Sequence, residues 1–83
     1  MERKELAEEI INFCTEYRLF KKSKGKVLSK EHIAEQLSDV FFVENLIHLL
    51  ILKTKYRKNI DKKRLKRLLI ELEKERLSLE YGE

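Results

Sequence analysis

The chain has 83 residues, a net charge of +4 at pH 7, and 41% charged beside 42% hydrophobic residues. Its two glycines and lack of proline leave few turn-forming residues, which argues against a sheet with many hairpins and favours long helices. A chain of this length is predicted to form one domain, residues 1–83, whose small core would gain stability from association. No stretch suits a membrane span, the polar start is not a signal peptide, and the single Cys14 cannot form an internal disulfide. These features predict a cytoplasmic protein.

The first helix is predicted over residues 2–20. Its apolar residues recur at spacings of three and four and share one face: Leu6, Ile10, Phe13, Tyr17 and Phe20. Cys14 lies beside this face and is predicted to be a core residue. Four lysines follow in the stretch KKSKGK, where Gly25 is predicted to end the helix in a left-handed conformation. A solvated loop is the preferred interpretation of these lysines, and phosphate binding is the alternative.

A short second helix is predicted over residues 29–37, with Ser29 as its N-cap and Leu37 at its end. The following segment, FFVENLIHLLIL at residues 41–52, holds nine large apolar side chains among twelve residues. An unbroken helix through both segments would place Leu37 on the polar arc of the second segment. We therefore predict a break, with Ser38 capping a third helix over residues 39–57.

The third helix is too apolar for a single buried face. Its apolar side chains cover roughly 220° of the helical wheel, so it is expected to contact at least two other helices. These side chains are Phe42, Val43, Leu46, Ile47, Leu49, Leu50, Ile51 and Tyr56. Phe41 and Leu52 lie on the remaining, polar arc. They are covered either by another chain or by a loop or the second helix, and the sequence favours neither explanation.

The fourth helix is predicted over residues 61–79. Asn59 can adopt left-handed geometry and Asp61 is a good N-cap, which predicts a tight connection and an antiparallel hairpin with the third helix. The inner stripe of the fourth helix contains Leu65, Leu68, Leu69, Leu72 and Leu79. A second apolar stripe, Ile70, Leu77 and Tyr81, lies on nearly the opposite face and predicts a partner outside the monomer.

The charges of this hairpin are strongly segregated. Nine basic residues and one acid occupy residues 53–67, whereas acids predominate from Glu71 onward. The helix dipole favours the reverse order, by about 0.3 to 1 kcal/mol per well-placed charge. An antiparallel dimer through the fourth helix would explain the arrangement, and so would an anionic ligand such as a nucleic-acid backbone. The residues that would bind such a ligand are Lys55, Arg57, Lys58, Lys62, Lys63, Lys66 and Arg67.

Other functional motifs have little support. The stretch KEHIAEQLSDVFFVENLI shares apolar positions with a helix-turn-helix, but its second helix would present phenylalanines and acids where base and phosphate contacts are needed. The sequence has no glycine-rich phosphate loop and no paired metal-ligand spacing. We therefore predict no catalytic residue, no metal, no cofactor, no small-molecule substrate and no membrane partner.

The sequence predicts an all-α bundle of three long helices and one short helix. The expected function is that of a non-enzymatic regulatory or adaptor module that binds protein through its helices, as a homodimer or with another protein. The predicted interface residues are Phe41, Leu52, Ile70, Leu77 and Tyr81. The alternative is a protein that binds the nucleic-acid backbone through the basic hairpin 53–67.

Overall fold

The computed structural model describes residues 1–20 and 29–82, and it is all-helical within these ranges. The helices are α1 (Arg3–Glu16), α2 (Lys30–Gln36), α3 (Val40–Thr54) and α4 (Lys62–Tyr81). This confirms the predicted all-α bundle of three longer helices and one short helix, with α3 and α4 packed as a hairpin. α1 packs against α2 and α4. No helix in the described ranges is long and apolar enough to cross a bilayer.

α1 ends at Glu16, before the predicted end at residue 20. Arg18 adopts a left-handed conformation with a φ of 51°. The backbone N–H groups of Arg18 and Leu19 donate to the carbonyl oxygens of Thr15 and Cys14 at 3.3 and 3.0 Å, which is the Schellman pattern of a helix end. The left-handed turn allows Leu19 to fold back into the core, where it is buried. α1 therefore ends four residues before the predicted bound, and Gly25, with the rest of the KKSKGK stretch, lies outside the described residues.

The break between α2 and α3 is present, but its cap differs from the prediction. Ser29 caps α2 as predicted. The Ser38 hydroxyl donates to the carbonyl oxygen of Glu35 at 2.7 Å and so closes the end of α2. Asp39 is the N-cap of α3, because its carboxylate accepts from the backbone N–H of Phe41 at 2.9 Å. The prediction of Ser38 as the cap is wrong, since this hydroxyl acts as a donor to the preceding helix.

α3 has α4 as its one extended helical neighbour in the described part of the chain. Its buried residues also belong to one cluster with residues of α1 and α2, so the expectation of at least two neighbours stays a prediction. Val43, Leu46 and Leu50 are buried, whereas Leu49 and Ile51 from the predicted covered arc are exposed. Part of the wide apolar surface of α3 therefore remains uncovered in the monomer.

α3 also ends earlier than predicted, at Thr54 rather than at residue 57. The buried Thr54 hydroxyl donates to the carbonyl oxygen of Leu50 at 2.6 Å, which satisfies this polar group inside the core. Tyr56 was assigned to the covered arc of the helix. It instead lies in the connection after α3 and is 85% exposed.

The connection between α3 and α4 is held by the end of α1. The Tyr17 hydroxyl accepts from the backbone N–H of Asp61 at 3.0 Å, and the Arg57 guanidinium donates to the Tyr17 carbonyl oxygen at 2.6 Å. Asn59 was predicted to be left-handed, but Arg18 is the one described non-glycine residue with a positive φ. A tertiary contact therefore stabilises this turn in place of the predicted left-handed residue.

α4 begins with Asp61 as its N-cap, as predicted, and extends to Tyr81, beyond the predicted end at residue 79. Gly82, with a φ of 72°, ends the helix. The buried cluster draws on all four helices and on each of the three connections between them. Its members are Leu6, Ala7, Ile10, Phe13, Cys14, Leu19, Ile33, Leu37, Val43, Leu46, Leu50, Ile60, Leu68 and Leu72.

Leu50→Ala is expected to lower the free energy of unfolding by about 2 to 5 kcal/mol, because it removes a fully buried side chain and leaves a cavity. Leu52→Ala is the matched control two residues away. Leu52 is 65% exposed, so its truncation should change stability by less than about 0.5 kcal/mol. Urea denaturation followed by circular dichroism measures both. Equal losses would contradict this placement of the core.

Candidate functional site

The five predicted interface residues are all exposed in the monomer. They are Phe41, Leu52, Ile70, Leu77 and Tyr81. Phe41 is 72% exposed at the start of α3, although its aromatic side chain is among the most costly to leave in water. At 100° per residue, Phe41, Leu49 and Leu52 fall within 80° of one another on the outer side of α3. They form an apolar strip with no helix packed over it in the described structure.

The second apolar stripe of α4, Ile70, Leu77 and Tyr81, lies beside a group of ion-paired side chains. Arg76 forms ion pairs with Glu73 and Glu80, the latter at 2.8 Å. On the helical wheel these charges lie between the buried stripe and the exposed Ile70 and Leu77. The hydrogen bond from Arg76 lowers the pKa of the Glu73 carboxyl and raises the pKa of the guanidinium. One edge of the exposed stripe is therefore bordered by side chains that already have partners.

Three ion pairs join α1 to α4. They are Glu16–Arg64 at 2.9 Å, Glu9–Arg67 at 3.5 Å and Arg3–Glu75 at 3.3 Å. The order of the partners shows that α1 and α4 are antiparallel. The basic first half of α4 thus faces the acidic side of α1, and the acidic second half faces Arg3. This intramolecular match accounts for part of the charge segregation that the sequence analysis assigned to another chain or to an anion.

Arg64 is the most closely packed of these cations. Its guanidinium carbon lies 5.3 Å from the centroid of the Phe13 ring and 6.0 Å from that of Tyr17, within the range of cation–π contacts. The hydrogen bond between Arg64 and Glu16 lowers the pKa of this carboxyl and raises the pKa of the guanidinium. This pairing was not predicted from the sequence, although the acids of the first helix were a signal for it.

A groove of about 420 Å³ opens where α3 and α4 meet their connection. Its lining is part apolar and part cationic. The apolar lining residues are Ile51, Ile60, Leu65 and Leu69, and the cationic ones are Lys55, Arg57, Lys62 and Lys66. Ile60 is buried while Leu65 and Leu69 are half-buried, so these three form the floor, and the exposed lysines surround it. The groove could not be predicted from the sequence pattern, because it forms only where two helices and their connection pack together.

The predicted anion-binding residues divide into three groups. Four of them line the groove: Lys55, Arg57, Lys62 and Lys66. Lys58 and Lys63 are exposed outside it, and Arg67 pairs with Glu9. Within residues 1–20 and 29–82, no carboxylate lies at ion-pair distance from Lys55, Lys62 or Lys66. The groove therefore concentrates cations that lack an acidic partner in the described structure.

Two backbone N–H groups at the N-terminus of α4 already have a hydrogen-bond acceptor within the protein. The Asp61 carboxylate accepts from the backbone N–H groups of Lys63 and Arg64, both at 3.1 Å. Helix N-termini bind phosphate through such N–H groups. Because Asp61 engages two of them and carries a negative charge, a phosphate at this helix end would meet a competing anion.

Groups with catalytic or metal-binding chemistry are sparse in the described ranges. Cys14 is buried, and burial raises the pKa of its thiol to about 11, which keeps the thiol protonated near neutral pH. His32 and His48 are both exposed. Residues 1–20 and 29–82 contain no group of three or more side chains that could hold a metal ion.

Comparisons of the chain with models of protein families, with curated proteins and with solved structures found no match. The functional inference therefore rests on two features of the α3–α4 hairpin. These are the exposed apolar side chains and the cationic groove.

Arg64→Gln is expected to reduce the loss of stability on acidification. Because Arg64 lowers the folded-state pKa of Glu16, this pair stabilises the fold above the ordinary glutamate pKa of about 4.3 and loses that effect as the pH falls through the lower folded value. Urea midpoints at neutral pH and at about pH 3 measure the difference. Lys4→Gln, which removes an exposed cation without an ion pair in the described residues, is the control. The same pH dependence in wild type and Arg64→Gln would show that the ion pair does not contribute to the pH dependence of stability.

Proposed function

We propose that this protein is a non-enzymatic regulatory or adaptor module that binds other protein chains through the α3–α4 hairpin and forms a homodimer through α4. The observation that carries the proposal is the exposed stripe Ile70, Leu77 and Tyr81 on the side of α4 away from the core. Apolar side chains grouped on one face of a small monomer are typical of interaction surfaces. The exposed strip on α3 supports the same conclusion.

The dimer follows from the geometry of α4. A helix of 20 residues is about 30 Å long, enough for an extended helix pair. In a symmetric antiparallel pair, Ile70 of one copy can lie opposite Leu77 of the other, and the same contact repeats by the two-fold axis. In this register Arg67 of one copy lies opposite Glu80 of the other, so opposite charges also meet at the two ends of the contact. Because α1 already neutralises several of these charges, the apolar stripe is the stronger support.

Ile70→Lys combined with Leu77→Lys is expected to convert the dimer to a monomer of 10.1 kDa, because each copy would place lysines in the apolar contact. Both side chains are exposed, so the helical content should be unchanged. Light scattering measures the mass and circular dichroism the helicity.

Asn12→Lys combined with Thr15→Lys is the matched control. It adds the same charge at exposed positions of α1 and should leave the dimer intact. A wild-type protein with the mass of one chain at high concentration would overturn the proposed dimer.

The second candidate function is binding of the nucleic-acid backbone by the basic hairpin. Its support is a group of exposed lysines without ion pairs in the described residues: Lys55, Lys58, Lys62, Lys63 and Lys66. Several such cations could neutralise phosphates and make binding depend steeply on salt. The cap by Asp61 and the pairing of Arg67 with Glu9 weaken this alternative, so protein binding stands first.

The alternative predicts a mobility shift of a DNA or RNA duplex that weakens steeply as salt increases. Lys62→Glu combined with Lys66→Glu should abolish the shift, because it reverses two unpaired cations. Lys4→Glu combined with Lys74→Glu makes the same charge change elsewhere on the surface and should retain it. No shift with the wild-type protein at low salt would remove this alternative.

A further inference from the structure

The groove between α3 and α4 combines apolar and cationic side chains that a single partner can contact at the same time. We infer that it binds an acidic amphipathic helix of a partner protein, with apolar side chains on the groove floor and carboxylates on the surrounding lysines. This inference deepens the proposed adaptor function and rests on it in taking a protein as the partner. It uses a different set of side chains from the dimer stripe of Ile70, Leu77 and Tyr81.

The apolar lining has the dimensions of a helix-binding groove. Its α4 side extends from Lys62 to Leu69, a distance of about 10 Å at 1.5 Å per residue. That length matches two turns of a partner helix, whose residues at i, i+3 or i+4 and i+7 would lie along the floor. The volume of about 420 Å³ is within the range of about 300 to 1,000 Å³ that is common for binding pockets.

The charges around the floor are of one sign. The nine lining residues that the structure describes include four cations and no acid. Arg57 is held in place by its hydrogen bond to the Tyr17 carbonyl oxygen at 2.6 Å, whereas Lys55, Lys62 and Lys66 are exposed and free of ion pairs with the described residues. Positive charges around an apolar floor repel basic segments and attract acidic ones. The complementary ligand therefore carries carboxylates on either side of an apolar stripe.

A nucleic acid fits this lining less well than an acidic peptide does. A phosphate backbone would pair with the lysines but leave the accessible surface of Ile51, Leu65 and Leu69 uncovered. Single-stranded bases bind by stacking on aromatic rings, and none of the described lining residues is aromatic. The negatively charged Asp61 at the start of α4 further disfavours phosphate. An acidic amphipathic helix can form ion pairs with the cations and can also cover the apolar floor.

The test uses a fluorescently labelled synthetic peptide of about four helical turns. It is built from glutamate, alanine and leucine, with the leucines at helical spacing on one face. Fluorescence polarisation measures its affinity for the wild-type protein. One control peptide replaces leucine with serine at the same charge, and another replaces glutamate with glutamine at the same apolar content. Each replacement should weaken binding by about tenfold or more.

Two matched pairs of protein variants locate the peptide on the groove. Ile51→Ser and Lys55→Glu change lining residues, and each should weaken binding by about tenfold. His48→Ser and Lys53→Glu change exposed residues of the same helix that do not line the groove, and each should alter the affinity by less than about twofold. Circular dichroism confirms that all four variants remain helical.

Three results would overturn the inference. They are absence of peptide binding, equal effects of the lining and control variants, and displacement of the peptide by a DNA duplex at lower concentration than by unlabelled peptide. Light scattering on the wild-type protein and on the Ile51 and Lys55 variants separates this inference from the dimer. An intact dimer without peptide binding overturns the groove assignment alone, and peptide binding by a monomer overturns the dimer alone.

Discussion

The packing of α1 along α4 positions the other elements of this structure. Arg64 lies against the rings of Phe13 and Tyr17 and pairs with Glu16, so it combines apolar contact with charge neutralisation at one point of the interface. Tyr17 extends the same contact to the start of α4, because its hydroxyl accepts from the backbone of Asp61. Its carbonyl oxygen accepts from Arg57 in the connection. The end of α1 therefore sets where the α3–α4 hairpin turns.

This arrangement leaves α3 with one extended helical neighbour and explains its exposed surface. A helix that is apolar over roughly 220° of its circumference cannot be covered by a single partner helix, whose contact occupies one side. Val43 and Leu50 are buried on that side, whereas Phe41, Ile51 and Leu52 remain in contact with water. The exposed apolar surface is thus a consequence of the topology, and it supports a role in binding rather than a role confined to the monomer's core.

The two proposed binding surfaces share the hairpin but differ in their chemistry. The Ile70, Leu77 and Tyr81 stripe is apolar and suits a second copy of the same helix, since a symmetric contact needs a self-complementary face. The groove is bordered by lysines that have no ion pair with a described residue, and it suits a partner of opposite charge. A dimer that retained both surfaces would present two grooves, one on each copy. Such a molecule would link two acidic segments, which is consistent with the adaptor function that we propose.

Local patterns in the sequence determined the four helices, the break before α3, the caps at Ser29 and Asp61, and much of the buried core. Hydrophobic periodicity is a property of neighbouring residues, so it predicts these features without knowledge of which helices pack together. The same wheel placed Phe41 and Leu52 on the polar arc but left open what covers them, and their exposure in the monomer was decided by the tertiary structure. Tertiary structure alone decided the left-handed turn at Arg18, because the burial of Leu19 stabilises it. It also decided the α1–α4 ion pairs and the groove, since these depend on side chains that meet only when distant segments are packed side by side.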